Sequence, residues 1–167
     1  MNIFTYFISI FFLVYLFIPS DAEAACTDPA KPKVNWERCN FTEKNLSNRK
    51  LNQSTLRETR FIRSNLSNTN LSFSIAIRAK FINTNAKNAI FNGARLREAD
   101  FTKANLSNVS FIDADLRLAR LFKANLKNAN LTGAKIRGAD LLNADLSGAT
   151  WIDGNTICSE GSIGQCK

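Results

Sequence analysis

The chain has 167 residues, with 22 Lys and Arg against 14 Asp and Glu, a net charge of +8 and no histidine. The missing imidazole removes the commonest general base and the commonest metal ligand at once. No Gly-rich phosphate loop, nucleophile elbow or metal-spaced cluster occurs, so the expectation is a single non-catalytic domain without cofactor, preceded by a targeting segment.

From Ile3 to Ile18 the chain is almost purely apolar, and Pro19 and Ser20 end the run before Ala22-Glu23-Ala24. This reads as a signal peptide over 1–24, cut after Ala24. The apolar run is shorter than the ~20 residues a spanning helix needs, which speaks against an uncleaved anchor. A second alternative makes Cys26 an acylated lipoprotein cysteine, although Glu23 stands where that signal usually has Leu. Cleavage would remove Asp21 and Glu23 and no cation, raising the net charge from +8 to about +10. The expected destination is secreted or periplasmic, where disulfides are the default. The four cysteines allow three pairings.

Residues 25–40 form an N-terminal segment made irregular by Pro29 and Pro32. From Phe41 to Trp151 every fifth residue is apolar, and Trp36 is in phase with this series as a candidate plug of the first end. A strict period of five fits neither a helix nor a flat strand; a short repeat of this kind means a solenoid. Ala124, Ala129, Ala134, Ala139 and Ala144 each stand two residues before a centre, as in Ala124-Asn125-Leu126. Taking every twentieth residue gives columns of like centres: Phe41, Phe61, Phe81, Phe101 in one, Phe91 and Phe111 in another. Stacked strands favour such columns.

On these residues the chain resembles the pentapeptide repeat family. The resemblance implies an all-β fold, a right-handed quadrilateral parallel β-helix over 41–153 with the centre and the residue two before it pointing inward. About six coils at ~4.8 Å would make a rod of roughly 29 Å. The tail over 154–167, with Cys158, Gly161, Gly164 and Cys166, looks like the ending of exported bacterial members, a cysteine-closed cap. The expected pairs are Cys158–Cys166 and Cys26–Cys39. Two irregularities stand out. Lys44 and Arg49 occupy inward positions, where unpaired charge is costly, so the first coil is expected to depart from the regular form. Ala76 and Ala86 are undersized centres, with Phe73 or Ile75 as candidates to fill the gap.

The outer positions sort into faces. Asn45, Asn65, Asn85, Asn105 and Asn125 form one ladder ending in Asp145, and Asn48, Asn68, Asn88, Asn108 and Asn128 form another. Stacked amides stiffen turns, or present a flat polar surface. A candidate basic binding face comprises Arg57, Arg78, Arg95, Arg97, Arg117, Lys135 and Arg137. Guanidinium groups one coil apart could grip phosphates or carboxylates, or could merely keep a stiff rod soluble. A candidate apolar contact stripe of Ile62, Ile82, Phe122 and Leu142 fits a partner or a homodimer contact, unless neighbouring lysines such as Lys80 and Lys123 cover it. Asp113 and Asp115 are expected to be plain surface acids. The functional expectation is a rigid binding or scaffold module for a protein or an anionic envelope polymer. The alternative is a gyrase- or topoisomerase-interacting regulator of the DNA-mimic type, or a direct nucleic-acid binder. The positive charge and the apparent export signal make nucleic acid the weaker expectation.

Overall fold

In the computed structural model residues 26–167 are described; the expected signal peptide over 1–24 lies outside the described residues. One five-residue unit of two turn residues and one bridge residue recurs without a break from 31 to 150. Each bridge is parallel and joins residue i to i+20, from Asn35↔Thr55 to Asn130↔Thr150. Four bridge ladders five residues apart therefore run the length of a four-sided β-helix.

The unit follows from its turn. The amide of Lys44 donates to Phe41 O at 3.2 Å, and the same closure recurs from Ser54 to Phe111 and beyond. The third residue of each unit sits at positive φ, as Glu43 (60°), Arg63 (56°) and Asn88 (59°) do. That is the left-handed residue of a type II turn. Twenty-residue coils then zip together through three backbone bonds per unit: Phe61 N to Lys80 O at 2.7 Å, Arg63 N to Ile82 O at 3.0 Å, and Lys80 N to Thr59 O at 2.8 Å.

The turn points two side chains per unit inward. Centres such as Leu66, Phe81 and Leu126 are fully buried, and so are the small residues before them, Ala79, Ala99 and Ala119. The phenylalanine columns stack, with Phe81 and Phe101 centroids 4.6 Å apart at 4°. The two columns meet edge to face, as Phe91 does with Phe101 (5.8 Å, 89°), a geometry the ring quadrupole favours. Where the small position holds a hydroxyl, it bonds backbone carbonyls: Thr59 to Trp36 O at 2.6 Å, Thr69 to Leu46 O at 2.8 Å. Ser54 and Ser74 are the exceptions, their buried Oγ atoms having no partner.

Three expectations are corrected. The repeat begins at 31, not 41, because Val34, Trp36 and Cys39 already fill inward positions and are buried. The first coil is regular despite Lys44 and Arg49; no described coil precedes it, so both side chains are exposed without breaking the turn. Phe73 does not fill the space beside Ala76. It occupies the positive-φ corner and is 64% exposed.

Both expected disulfides are present. Cys26–Cys39 ties the N-terminal segment to the first coil (Cα–Cα 5.4 Å), and Cys158–Cys166 closes the tail (4.9 Å). The parallel ladders end at Thr150, and the chain then returns antiparallel, bridging Thr150↔Ile157 and Asp145↔Ile163. This cap covers the last coil, and its own Cys158 and Ser162 are buried. No helix among the described residues is long and apolar enough to cross a membrane.

Candidate functional site

The seven cations of the expected basic face do share one side of the rod, but they are not equivalent. Arg57, Arg97 and Arg117 lie half-buried along it, and Arg137 is exposed at its end. Next to them runs the bridge ladder Arg95–Asp115–Lys135. Arg117 grips Asp115 with two bonds, Nε to Oδ1 at 2.7 Å and a terminal nitrogen to Oδ2 at 2.6 Å. The Arg117 hydrogen bond outweighs the desolvation of Asp115 and lowers the carboxyl below its usual range. Arg78 sits at a corner between Glu58 (3.8 Å) and Glu98 (2.9 Å). Its hydrogen bond, then its charge, lowers the Glu98 carboxyl.

Arg78 and Arg117 are thus spent on ion pairs, whereas Arg57, Arg95, Arg97, Lys135 and Arg137 form none among the described residues. Arg97 also has its Nε buried without a hydrogen-bond partner. Sequence columns find these cations but cannot show which carboxylate each one reaches.

A furrow of about 680 Å³ runs beside this face. Arg60, Arg78, Lys80 and Arg120 line it together with Glu58, Glu98, Asp100 and Asp140. Asp100, only 5% exposed, is its one buried acid, and sequence reasoning passed it over. It accepts from the Thr102 amide and hydroxyl and pairs with Arg120 at 3.1 Å. The furrow therefore neutralises itself. Asp113 is exposed, whereas Asp115 is half-buried in its pair with Arg117.

In the apolar stripe, Ile62, Ile82 and Phe122 are half-buried and Leu142 is 62% exposed. The Lys123 ammonium stands 5.1 Å from the Phe122 ring centroid, covering part of the stripe as a cation–π contact. The asparagine ladders hydrogen-bond from coil to coil. Asn88 donates to Asn68, and Asn68 to Asn48, each at 3.0 Å. Asn65, Asn85, Asn105 and Asn125 bond along their own ladder at 3.4–3.5 Å. Each of these also caps its own turn, as Asn105 does for the Ser107 amide at 3.2 Å. No group of three or more Cys, Asp or Glu among the described residues could hold a metal ion.

A family model described as a pentapeptide repeat region matches residues 84–157, and a second, for pentapeptide repeats (8 copies), matches 39–75. Together they span about two thirds of the chain. No curated protein matches it by sequence. Among solved structures, the chain is similar to HetL, a pentapeptide repeat protein involved in heterocyst differentiation regulation from the cyanobacterium Nostoc sp. strain PCC 7120. The two share 27% identity over 75% of this chain and 68% of HetL, with a TM-score of 0.47. QnrB1, a plasmid-mediated fluoroquinolone resistance protein, aligns at 21% identity over 71% of this chain and 62% of its own, with a TM-score of 0.50. A pentapeptide repeat protein of the Arabidopsis thaliana thylakoid lumen aligns at 23% identity over 74% and 84%, with a TM-score of 0.44. These likenesses concern the fold.

Proposed function

The chain belongs to the pentapeptide repeat family, and from that premise we propose that it is an exported, non-catalytic binding or scaffold module whose arginine face holds an anionic partner, a protein or an envelope polymer. One observation carries the reading: Arg57, Arg97 and Arg137 stand in one column, with Arg95 and Lys135 beside it, and none of them forms an ion pair among the described residues. A stiff rod keeps such charges in register, so a polymer with repeated carboxylates or phosphates would meet them without ordering cost on the protein side. The expected signal peptide supports an extracytoplasmic partner, as do two disulfides. The DNA-mimic reading is weaker on charge: a mimic needs an acidic surface, and this chain carries a net +8.

The test is co-sedimentation with isolated cell-envelope polymer at low and high salt, comparing wild type with an Arg57→Glu/Arg97→Glu/Arg137→Glu variant. Salt-sensitive binding that the triple reversal abolishes is the expected result. Equal binding by both proteins would remove the arginine face from the account. Intact mass of the protein from its native host tests export directly, through loss of residues 1–24.

A further inference from the structure

The two ends of the rod are built differently. At the C-terminal end the antiparallel return through Ile157 and Ile163 covers the last coil. At the N-terminal end Cys26–Cys39 pins the preceding segment over one side of the first coil, where Val34, Trp36 and Cys39 are buried. Among the described residues, the other side, 40–50, is left open. Here Phe41 and Leu46, whose counterparts in the next coil are fully buried, remain partly exposed. They floor a recess of about 440 Å³.

Three observations in this recess point to a ligand. In later coils the bridge amides donate to the coil before, Asn65 to Lys44 O and Asn70 to Arg49 O, both at 2.9 Å. The equivalent amides of Asn40, Asn45 and Lys50 have no acceptor among the described residues. Lys44 and Arg49 rise over this same edge, both exposed, and neither forms an ion pair among the described residues, Asp28 on the rim included. The indole of Trp36, 1% exposed and 4.3 Å from the Phe41 ring centroid, has a buried Nε1–H with no acceptor. A backbone edge with unused donors, two free cations and an apolar floor is a template for strand addition.

We infer that the open N-terminal edge over 40–50 is a docking site for an extended acidic peptide of another protein, which adds a partial coil to the rod. The peptide's carbonyls accept from Asn45 and Lys50, an apolar side chain rests on Phe41 and Leu46, and flanking carboxylates meet Lys44 and Arg49. Charge complementarity selects the partner: a basic or uncharged strand could use the amides but would leave both cations unpaired. The site is distinct from the arginine face: it lies on the end of the rod, whereas that face runs along its side from Arg57 to Arg137.

The probe is a fluorescein-labelled peptide alternating Glu and Val, with a Lys–Val peptide as control, added to the purified protein. Saturable binding of the acidic peptide by anisotropy is expected, weakened about tenfold or more by Lys44→Glu/Arg49→Glu and unchanged by Lys103→Glu, an exposed mid-rod cation outside both sites. Amide exchange at Asn45 and Lys50 should slow when the peptide is present. Absence of saturable binding would overturn the inference, as would equal binding by Lys44→Glu/Arg49→Glu. Bound peptide without slowed exchange would reduce the contact to surface attraction and overturn strand addition. Asn45 and Lys50 amides already protected in the free protein would assign the edge to this chain's own residues and would overturn it too.

Discussion

The Phe73 ring lies against Gly93, one coil further on, where a Cβ on the glycine would come within 2.6 Å of the ring. The positive φ of 63° at Gly93 is not by itself a reason for glycine, since Asn83 (53°), Glu98 (58°) and Lys103 (56°) adopt the same corner. The reason is the neighbour. Leu118 leans onto Gly138 in the same way, and Asn128 onto Gly148. Gly93→Ala should therefore lower stability by about 1–2 kcal/mol, from left-handed strain together with displacement of the ring. Adding Phe73→Ala should return the steric part and leave the strain. A double-mutant cycle by urea unfolding reads the coupling. Additive losses would mean that the exposed ring simply swings away.

Reduction should loosen the ends before the middle. Each coil touches its immediate neighbours, so stability is a sum of local terms. Cys158→Ser/Cys166→Ser should cost about 2–3 kcal/mol at the C-terminal end and speed amide exchange at Leu146, which donates to Ser162 O at 2.8 Å. The Phe101 amide, bonded to Arg120 O at 2.7 Å in mid-rod, should be unaffected. Uniform acceleration along the chain would instead make the rod one cooperative unit.

Stability should be level around neutrality and fall in acid. With no histidine in the chain, no side chain at its ordinary pKa titrates between about pH 6 and 8. Among the described residues four carboxyls have lowered pKa values in the folded state. Hydrogen bonds from Arg78 act on Glu98, from Arg117 on Asp115, and from Thr156 on Asp153. At Asp145 burial opposes the charged form, but bonds from Ser147 and Lys127 outweigh it. A lowered folded pKa gives stability that is present above the unfolded value and lost as pH falls through the folded one. The thermal midpoint should therefore drop below about pH 4, and Arg117→Gln should make the drop shallower. A step between pH 6 and 7 would contradict this assignment.

Much of this molecule was legible because one residue in five obeys one rule. Leu96, Phe101, Leu106 and Phe111 could be placed in the core from spacing alone, and all four are fully buried. The failures have one physical source: periodicity says which way a position points, but not what lies there to receive it. Lys44 and Arg49 point inward in register, yet no described coil lies beyond the first one on their side, so both are exposed. Phe73 was close in sequence to an underfilled centre, but the turn rotates it onto the outside, over Gly93. The arginine column could be listed from every twentieth residue. Its division into Arg117, closed on Asp115, and Arg97, closed on none, depends on side-chain reach, which spacing does not encode.

The core repeats every five residues and the surface every twenty, so the two respond differently to changes in length. Inserting five residues between Thr102 and Phe111 would leave an apolar centre over every apolar centre, with Phe111 landing on Leu96, and the rod could still close. Outside, every later side chain would turn through a quarter revolution. Arg117 would leave Arg97 and come to rest over Thr102, because bridging joins i to i+20. A gene for such a rod can gain or lose single repeats without losing the fold, but it keeps its surface pattern across the change only in whole coils.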